Sequence, residues 1–233
     1  MRQVVLDTET TGLQVIEGHR IIEIGCIELF NRKFTGKRFH QYINPERLVD
    51  DGALQVHGIT NDFLQGKPVF LDIADDFIQF IDGAELIIHN APFDLGFIRH
   101  EINLTKRNYK AVTDSFKVID TLVLARQIHI GQRNSLDALC KRYTVDNSNR
   151  EFHGALMDAH LLAQVYLAMT GGQGSLFGDI QNTQAEVKEN VEHVILPQQL
   201  RQLIVLDPTE EELIAHEEYL ATLLKKGKCV WRE

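Results

Sequence analysis

The opening stretch of the chain is apolar and β-branched and then turns acidic. Val4-Val5-Leu6 runs into Asp7-Thr8-Glu9, and Gly12 ends the strand in a turn. Arg20–Phe30 reads as a second strand, interrupted at Glu23 and Glu28. Asn31–Lys37 is rich in turn residues, and Phe39–Ile43 reads as the returning partner. Strands joined this tightly predict an antiparallel meander at the start of a mixed sheet. Asn44-Pro45 breaks it, Leu48–Ile59 reads as irregular, and Thr60 or Asn61 caps a short turn.

The apolar period then lengthens. Phe70, Ile73, Ala74, Phe77, Ile78 and Ile81 recur at helical spacing, and Gly83 closes the helix. Glu85–Ile88 is a short apolar strand ending at His89-Asn90, and Phe93–Ile102 follows as a helix with Phe93, Phe97 and Ile98 inward. Val118–Ile119 is another short strand with Asp120 at its end. Thr121–Ile128 reads as helix, Ser135 caps Leu136–Tyr143, and Ala155–Met169 is a helix closed by Gly171-Gly172. A meander followed by alternating strands and helices predicts an α/β domain, a mixed β-sheet flanked by helices, ending near Thr170.

Beyond Gly171 the character changes. Gln173–Gln199 has Gly, Gln, Asn and Glu with few regular apolar positions and reads as a linker. Thr209 caps a charged helix, Glu210–Lys226, acidic early and lysine-rich late, an order that suits the helix dipole.

Composition narrows the class. A formal charge of −9 gives no global basic field, so any contact with nucleic acid must be local, metal-assisted or supplied by a partner. Cys26, Cys140 and Cys229 are odd in number and scattered, as reduced thiols are. No leader pattern opens the chain and no apolar run is long enough to span a membrane. The expectation is a soluble, cytoplasmic protein with a hydrophobic fraction of 44%, enough for a core.

The chemistry is carried by acids. Asp7 and Glu9 leave a strand on one face, and two carboxylates so close are costly to hold ionised without a cation. Oxygen-only ligands point to Mg²⁺ or Mn²⁺; the plainer alternative is a strand ending in a polar loop. Asp94 follows a strand in His89-Asn90-Ala91-Pro92-Phe93-Asp94, where open α/β sheets place their sites; the alternative is an acid favoured by a helix N-terminus. Asp158 has core-like flanks, Leu156, Met157, Leu161 and Leu162, and an ionised Asp near a core wants a partner. His153 precedes it by five residues. On an ideal helix that is ~140° away, so the two converge only if His153 stands on the loop before the helix, a bend Gly154 permits. There an imidazole is suited to general base work; a surface histidine is the alternative.

In order, Asp7-x-Glu9-x-x-Gly12, Asn90-x-x-Phe93-Asp94 and His153-x-x-x-x-Asp158 resemble the three motifs of the DEDD 3′–5′ exonuclease superfamily, in its histidine-bearing branch. The resemblance covers about the first 170 residues. Ile21-Ile22-Glu23-Ile24-Gly25, Val56-His57-Gly58-Ile59, Asn134-Ser135-Leu136-Asp137-Ala138-Leu139-Cys140 and Tyr166–Gly172 resemble members that proofread for a replicative DNA polymerase. Each motif alone is weak; all of them in order are specific.

The resemblance implies a ribonuclease-H-like mixed sheet and hydrolysis with two divalent ions, Mg²⁺ or Mn²⁺, releasing 5′-nucleoside monophosphates from a DNA 3′ end. It implies Asp7 bridging both ions, Glu9 and Asp158 completing the first, Asp94 holding the second, and His153 taking the proton from the attacking water. Leu13, Val56 and His57 would line the terminal nucleotide's pocket, with His89, Asn90 and Phe93 nearby. Gly52 stands where the family often has an acid that contacts the nucleotide, which leaves that contact in doubt.

It further implies an exonuclease domain over residues 1–172, a flexible linker over 173–200 and a helical tail over 201–233 that docks on the polymerase catalytic (alpha) subunit. Gln173-Gly174-Ser175-Leu176-Phe177 resembles peptides that bind a sliding clamp (beta), Leu176 and Phe177 filling an apolar pocket while Gln173 anchors by hydrogen bonds; the plainer alternative is a helix C-terminus with a hydrophobic contact beyond its glycines. A small theta-type subunit is a further implied partner.

Rival readings differ in identifiable residues. A haloacid-dehalogenase-like phosphotransferase needs a second Asp where Glu9 stands and a later acidic pair; Asp75-Asp76 instead lies in an amphipathic helix. A related exonuclease acting on RNA or short oligonucleotides uses the same acids. A non-catalytic docking scaffold is opposed by the intact acid set and His153.

Overall fold

Strand β1 (Arg2–Thr10) is paired on both sides. It runs antiparallel to β2 (Ile21–Phe30), which pairs antiparallel with β3 (Lys33–Tyr42), and parallel to β4 (Glu85–Ile88), which pairs parallel with β5 (Lys117–Asp120). The five-stranded order is β3-β2-β1-β4-β5, the mixed ribonuclease-H-like sheet expected. In this computed structural model the described residues are 1–109, 116–148, 152–171 and 208–226.

Both faces of the sheet are covered, which explains why β1 begins as an unbroken apolar run rather than an alternation. Val4 and Leu6 join Ile24, Cys26, Phe77, Phe97 and Ile98 on one face, beneath α3 (Phe70–Ile81) and α4 (Ala91–Thr105). Val5 joins Leu29, Ile87, Leu162 and Tyr166 on the other, beneath α7 (Ala155–Gly171). Helices α5 (Thr121–Ile128) and α6 (Leu136–Tyr143) pack beside α7 through Ala125, Leu139, Cys140 and Leu161. Ser135 accepts from the Ala138 N–H at the start of α6, the cap expected from sequence.

Several expectations are corrected. Leu48–Ile59, read as irregular, contains helix α1 (Asp51–His57). Its signal is weak because His57 is its one buried residue and Asp50 makes no side-chain cap bond. Its ends are tied by tertiary bonds instead, Asp50 N–H to the Thr11 carbonyl (3.0 Å) and the Val56 carbonyl from the His153 N–H (3.1 Å). The next helix, α2 (Asn61–Gln65), is capped by Thr60. Strand β3 starts at Lys33, not Phe39, because Asn31 and Arg32 both take positive φ (47° and 64°) and close a tight hairpin. As an edge strand it exposes Lys33, Lys37 and Arg38, so no apolar pattern announces it. Phe93, expected inward, is only half-buried.

Two polar contacts fix the elements around the site. Glu101, fully within the apolar face of α4, accepts two bonds from Arg20 (2.7 and 2.8 Å) and one from the Ile21 N–H (3.1 Å). His19 is buried, its Nδ1 3.0 Å from Thr11 Oγ1, and its ring lies against Gly12, where a Cβ would come within 2.2 Å of it. Glycine at the turn after β1 is therefore a requirement of packing.

The chain divides into two units, Met1–Asp179 and Ile180–Glu233. The second contains α8 (Glu210–Lys226), opened by a reciprocal box: Thr209 N–H to Glu212 Oε2 (2.9 Å) and Glu212 N–H to Thr209 Oγ1 (3.3 Å). The linker expected over 173–200, with Gln173, Ser175, Leu176 and Phe177, lies outside the described residues, as does Trp231. No helix among the described residues is long and apolar enough to cross a membrane.

Candidate active site

A cavity of about 550 Å³ is lined by the end of β1, the turn after β4, and residues of α4, α5, α6 and α7 with the loops before α6 and α7. Asp7, Glu9, Asp94, Asp158 and His153 all line it, with His89, Asn90 and Phe93. Residues separated by some 150 positions in sequence thus face one space.

Each acid arrives by a different device. Asp7 and Glu9 stand two residues apart on β1. Asp94 lies in the first turn of α4 and is buried, its Oδ1 accepting from Thr8 Oγ1 at 2.7 Å. Burial pushes its carboxyl up to about 7, against a smaller opposing pull from the Thr8 hydrogen bond. Asp158 lies in the first turn of α7 and is buried. His153 stands on the loop before α7, the condition for convergence, with Nδ1 3.6 Å from Asp158 Oδ2.

Glycine and strained backbone allow this crowding. Gly25 is the register partner of Asp7, and a Cβ on it would lie 2.2 Å from the Leu156 nitrogen and 2.3 Å from the Ala155 carbonyl carbon. The N-terminal end of α7 therefore rests directly on β2, which carries Asp158 to the mouth of β1. Asn90 takes φ 66° and ψ 52° between β4 and α4, a left-handed conformation uncommon outside glycine. Its N–H and that of Ala91 donate to the Asp120 carboxylate (3.2 and 3.1 Å), which also caps α5.

The donor set suits a hard divalent cation. One ligand atom each from Glu9, His153 and Asp158 lies within 4.8 Å of the others. Asp7 and Asp94 line the same cavity without belonging to that triplet.

A second cavity, about 480 Å³, shares Thr8, Glu9 and Phe93 with the first. Leu13, Val56 and His57 line it, beside the acids. Leu13 is exposed there, whereas His57 is buried. His57 Nδ1 accepts from the Ile59 N–H (3.0 Å), and burial holds the imidazole below its ordinary range. Gly52 lines this cavity too, contributing no carboxylate. Residues that sequence reasoning left out of the first cavity's lining include Leu122, Arg126, Gln132 and Asp137; Asp137 lay within a recognised phrase, but nothing marked Leu122, Arg126 or Gln132.

The sequence profile of the exonuclease family, of RNase T type, matches residues 4–166. The chain is 52% identical over 240 residues to the DNA polymerase III subunit epsilon of Salmonella typhimurium, covering 99% of this chain and 97% of that one. It is 50% identical to that of Escherichia coli K12 over the same shares. To that of Rickettsia prowazekii it is 51% identical over 96% of this chain and 97% of the other. Among solved structures, exonuclease X in complex with 5′ overhanging duplex DNA superposes with a TM-score of 0.55 and 25% identity, covering 74% of this chain and 93% of that one. Exonuclease I superposes with a TM-score of 0.63 at 17% identity, over 73% of this chain and 41% of its own, a likeness of fold.

Proposed function

The chain belongs to the exonuclease family and, within it, to the DNA polymerase III epsilon subunits, and from that premise we propose how its residues remove mispaired nucleotides from primer 3′ ends. The observation that carries the reading is the convergence of Asp7, Glu9, Asp94, Asp158 and His153 on one cavity beside a nucleotide-sized pocket.

Glu9 and Asp158 would hold one divalent ion, with Asp7 as a ligand they share and Asp94 supporting a second from its buried position. Such ions, Mg²⁺ or Mn²⁺, would supply charge neutralisation at the scissile phosphate and an acidified water. His153, its Nδ1 3.6 Å from Asp158 Oδ2, takes the proton of the attacking water. Thr8 fixes the Asp94 carboxyl through a 2.7 Å hydrogen bond. Leu13, Val56 and His57 receive the terminal nucleotide, with Phe93 shared between pocket and acids. His89 and Asn90 complete the wall that the leaving strand passes. Net negative charge is no obstacle, because the cations stand between the acids and the phosphate.

As an epsilon-type chain it works within a DNA polymerase III assembly. We assign residues 1–172 to the exonuclease domain, 173–200 to a linker and 201–233 to a tail docking on the polymerase catalytic (alpha) subunit. Gln173, Ser175, Leu176 and Phe177 form a clamp (beta) peptide on the strength of their sequence, and a small theta-type subunit is a further candidate partner. Tethering raises the exonuclease's effective concentration at the primer end.

Digestion of one oligonucleotide labelled at either end tests the polarity. A 5′ label should yield a ladder shortening from the 3′ terminus, and a 3′ label should appear at once as free 5′-mononucleotide. Release of the 5′ label first would contradict the proposal. Equal turnover of an RNA oligonucleotide would favour the RNA-directed alternative.

A further inference from the structure

Helix α5 contributes Leu122 and Arg126 to the lining of the main cavity. Its N-cap Asp120 accepts from the Leu122 and Val123 N–H groups (2.9 and 3.3 Å) as well as from Asn90 and Ala91, so the starts of α5 and α4 are bolted together. Leu122 and Arg126, four residues apart, share a helix face, and both line the main cavity. Arg126 is exposed and makes no ion pair among the described residues.

Its setting is unusual in sign. Asp7, Glu9, Asp94, Asp137 and Asp158 put five carboxylates around this cavity, and Arg126 is the one Lys or Arg among its described lining residues. Its positive charge also reaches His89, where it adds to burial in disfavouring the imidazolium. An arginine fork takes a phosphate through two parallel N–H bonds. The scissile phosphate belongs to the acids and their cations. A 3′-terminal nucleotide has no phosphate beyond its own, so a second phosphate in the cavity must come from the 5′ side of the strand.

We propose that Arg126 grips the backbone phosphate immediately 5′ to the scissile one, holding a single-stranded 3′ end in register so that only its last linkage meets the catalytic acids. The assignment rests on the exonuclease reading above. It makes Arg126 a residue that recognises a polynucleotide chain, and Lys cannot fully replace it, because a point charge lacks the fork.

The test is a cycle on the full chain with two oligonucleotides. One is all-phosphodiester; in the other the linkage 5′ to the scissile one is a neutral methylphosphonate. Arg126→Ala should raise KM on the natural strand about tenfold, with kcat little changed. The methylphosphonate should cost the unsubstituted enzyme a similar factor, and the two changes together should cost no more than either alone. Arg126→Lys should recover part of the loss. The slope of log(kcat/KM) against log[salt] should fall by about 0.7 in Arg126→Ala, one phosphate contact on a single strand. Losses that multiply to about a hundredfold, or an unchanged KM in Arg126→Ala, would overturn the assignment. Failure of the unsubstituted enzyme to cut the natural strand would overturn the exonuclease reading itself, and this assignment with it.

Discussion

Asp7 stands directly across the β1–β2 ladder from Gly25, and the first turn of α7 sits where a side chain on Gly25 would be. The same contact that brings the helix onto the sheet brings Asp158 toward Asp7 and Glu9. A methyl group here meets backbone atoms at 2.2–2.4 Å, which cannot turn aside as a flexible side chain can. Gly25→Ala should destabilise the domain by about 1–3 kcal/mol and cut turnover by about 10²-fold at temperatures where it is still folded. Thermal unfolding and initial rates measure the two effects; full activity in a folded variant would show that α7 can shift without moving Asp158.

Asp94 makes stability depend on pH in a definite direction. Its carboxyl, ordinarily near 3.8, is raised to about 7 by burial. The folded chain therefore binds that proton more tightly than the unfolded one. The contribution is fully present below pH 4 and is lost as pH rises through 7. Asp94→Asn removes the dependence, so in chelator the melting temperature of the variant minus that of the parent should grow by a few degrees between pH 5 and pH 8. A difference that stays constant across that range would contradict the burial argument.

His153 is tethered by its own N–H to the Val56 carbonyl while its ring faces Asp158. His153→Ala should slow hydrolysis by about 10²–10⁴-fold, with calorimetric Mn²⁺ binding largely retained. Loss of Mn²⁺ binding in step with activity would make His153 a ligand first, as its place in the 4.8 Å triplet with Glu9 and Asp158 allows.

If Gln173–Phe177 is a clamp peptide, Leu176→Ala with Phe177→Ala should weaken co-elution with a purified sliding clamp while sparing nuclease activity and polymerase binding, since apolar anchors carry such peptides. Truncation after residue 172 should also lose the polymerase. Co-elution of the truncated chain with polymerase would move the docking surface onto the catalytic domain.

Much of this architecture is written locally. The spacing from Phe70 to Ile81, the apolar Glu85–Ile88 and the Ser135 cap give α3, β4 and the start of α6 directly, because each is decided by its own period or cap. Helix α1 is not legible, since its ends are held by Thr11 and His153 rather than by its own residues. The hairpin into β3 is hidden for a related reason: Asn31 and Arg32 turn it without glycine. At the site, the acids and His153 were readable as candidates, and Asp158 was marked by its core-like flanks. Gly25 and Arg126 were not, because one matters through a helix that lands on it and the other through a wall it faces. Glu101 was readable in principle: an acid between Ile98 and Ile102 on a buried helix face calls for a partner, and Arg20 supplies it.

We propose that Asp7 and Glu9 anchor the metal-dependent removal of mispaired 3′ nucleotides. The direct measurement is release of labelled mononucleotide from matched and mismatched primers, in Mg²⁺ and in chelator, by the parent chain, Asp7→Ala and Glu9→Ala. The parent should release the mismatched terminus faster than the matched one, only with metal, and both variants should be inactive yet melt no lower than the parent, since removing one of two repelling carboxylates relieves the apo site. Substantial Mg²⁺-dependent release by either variant would contradict the account.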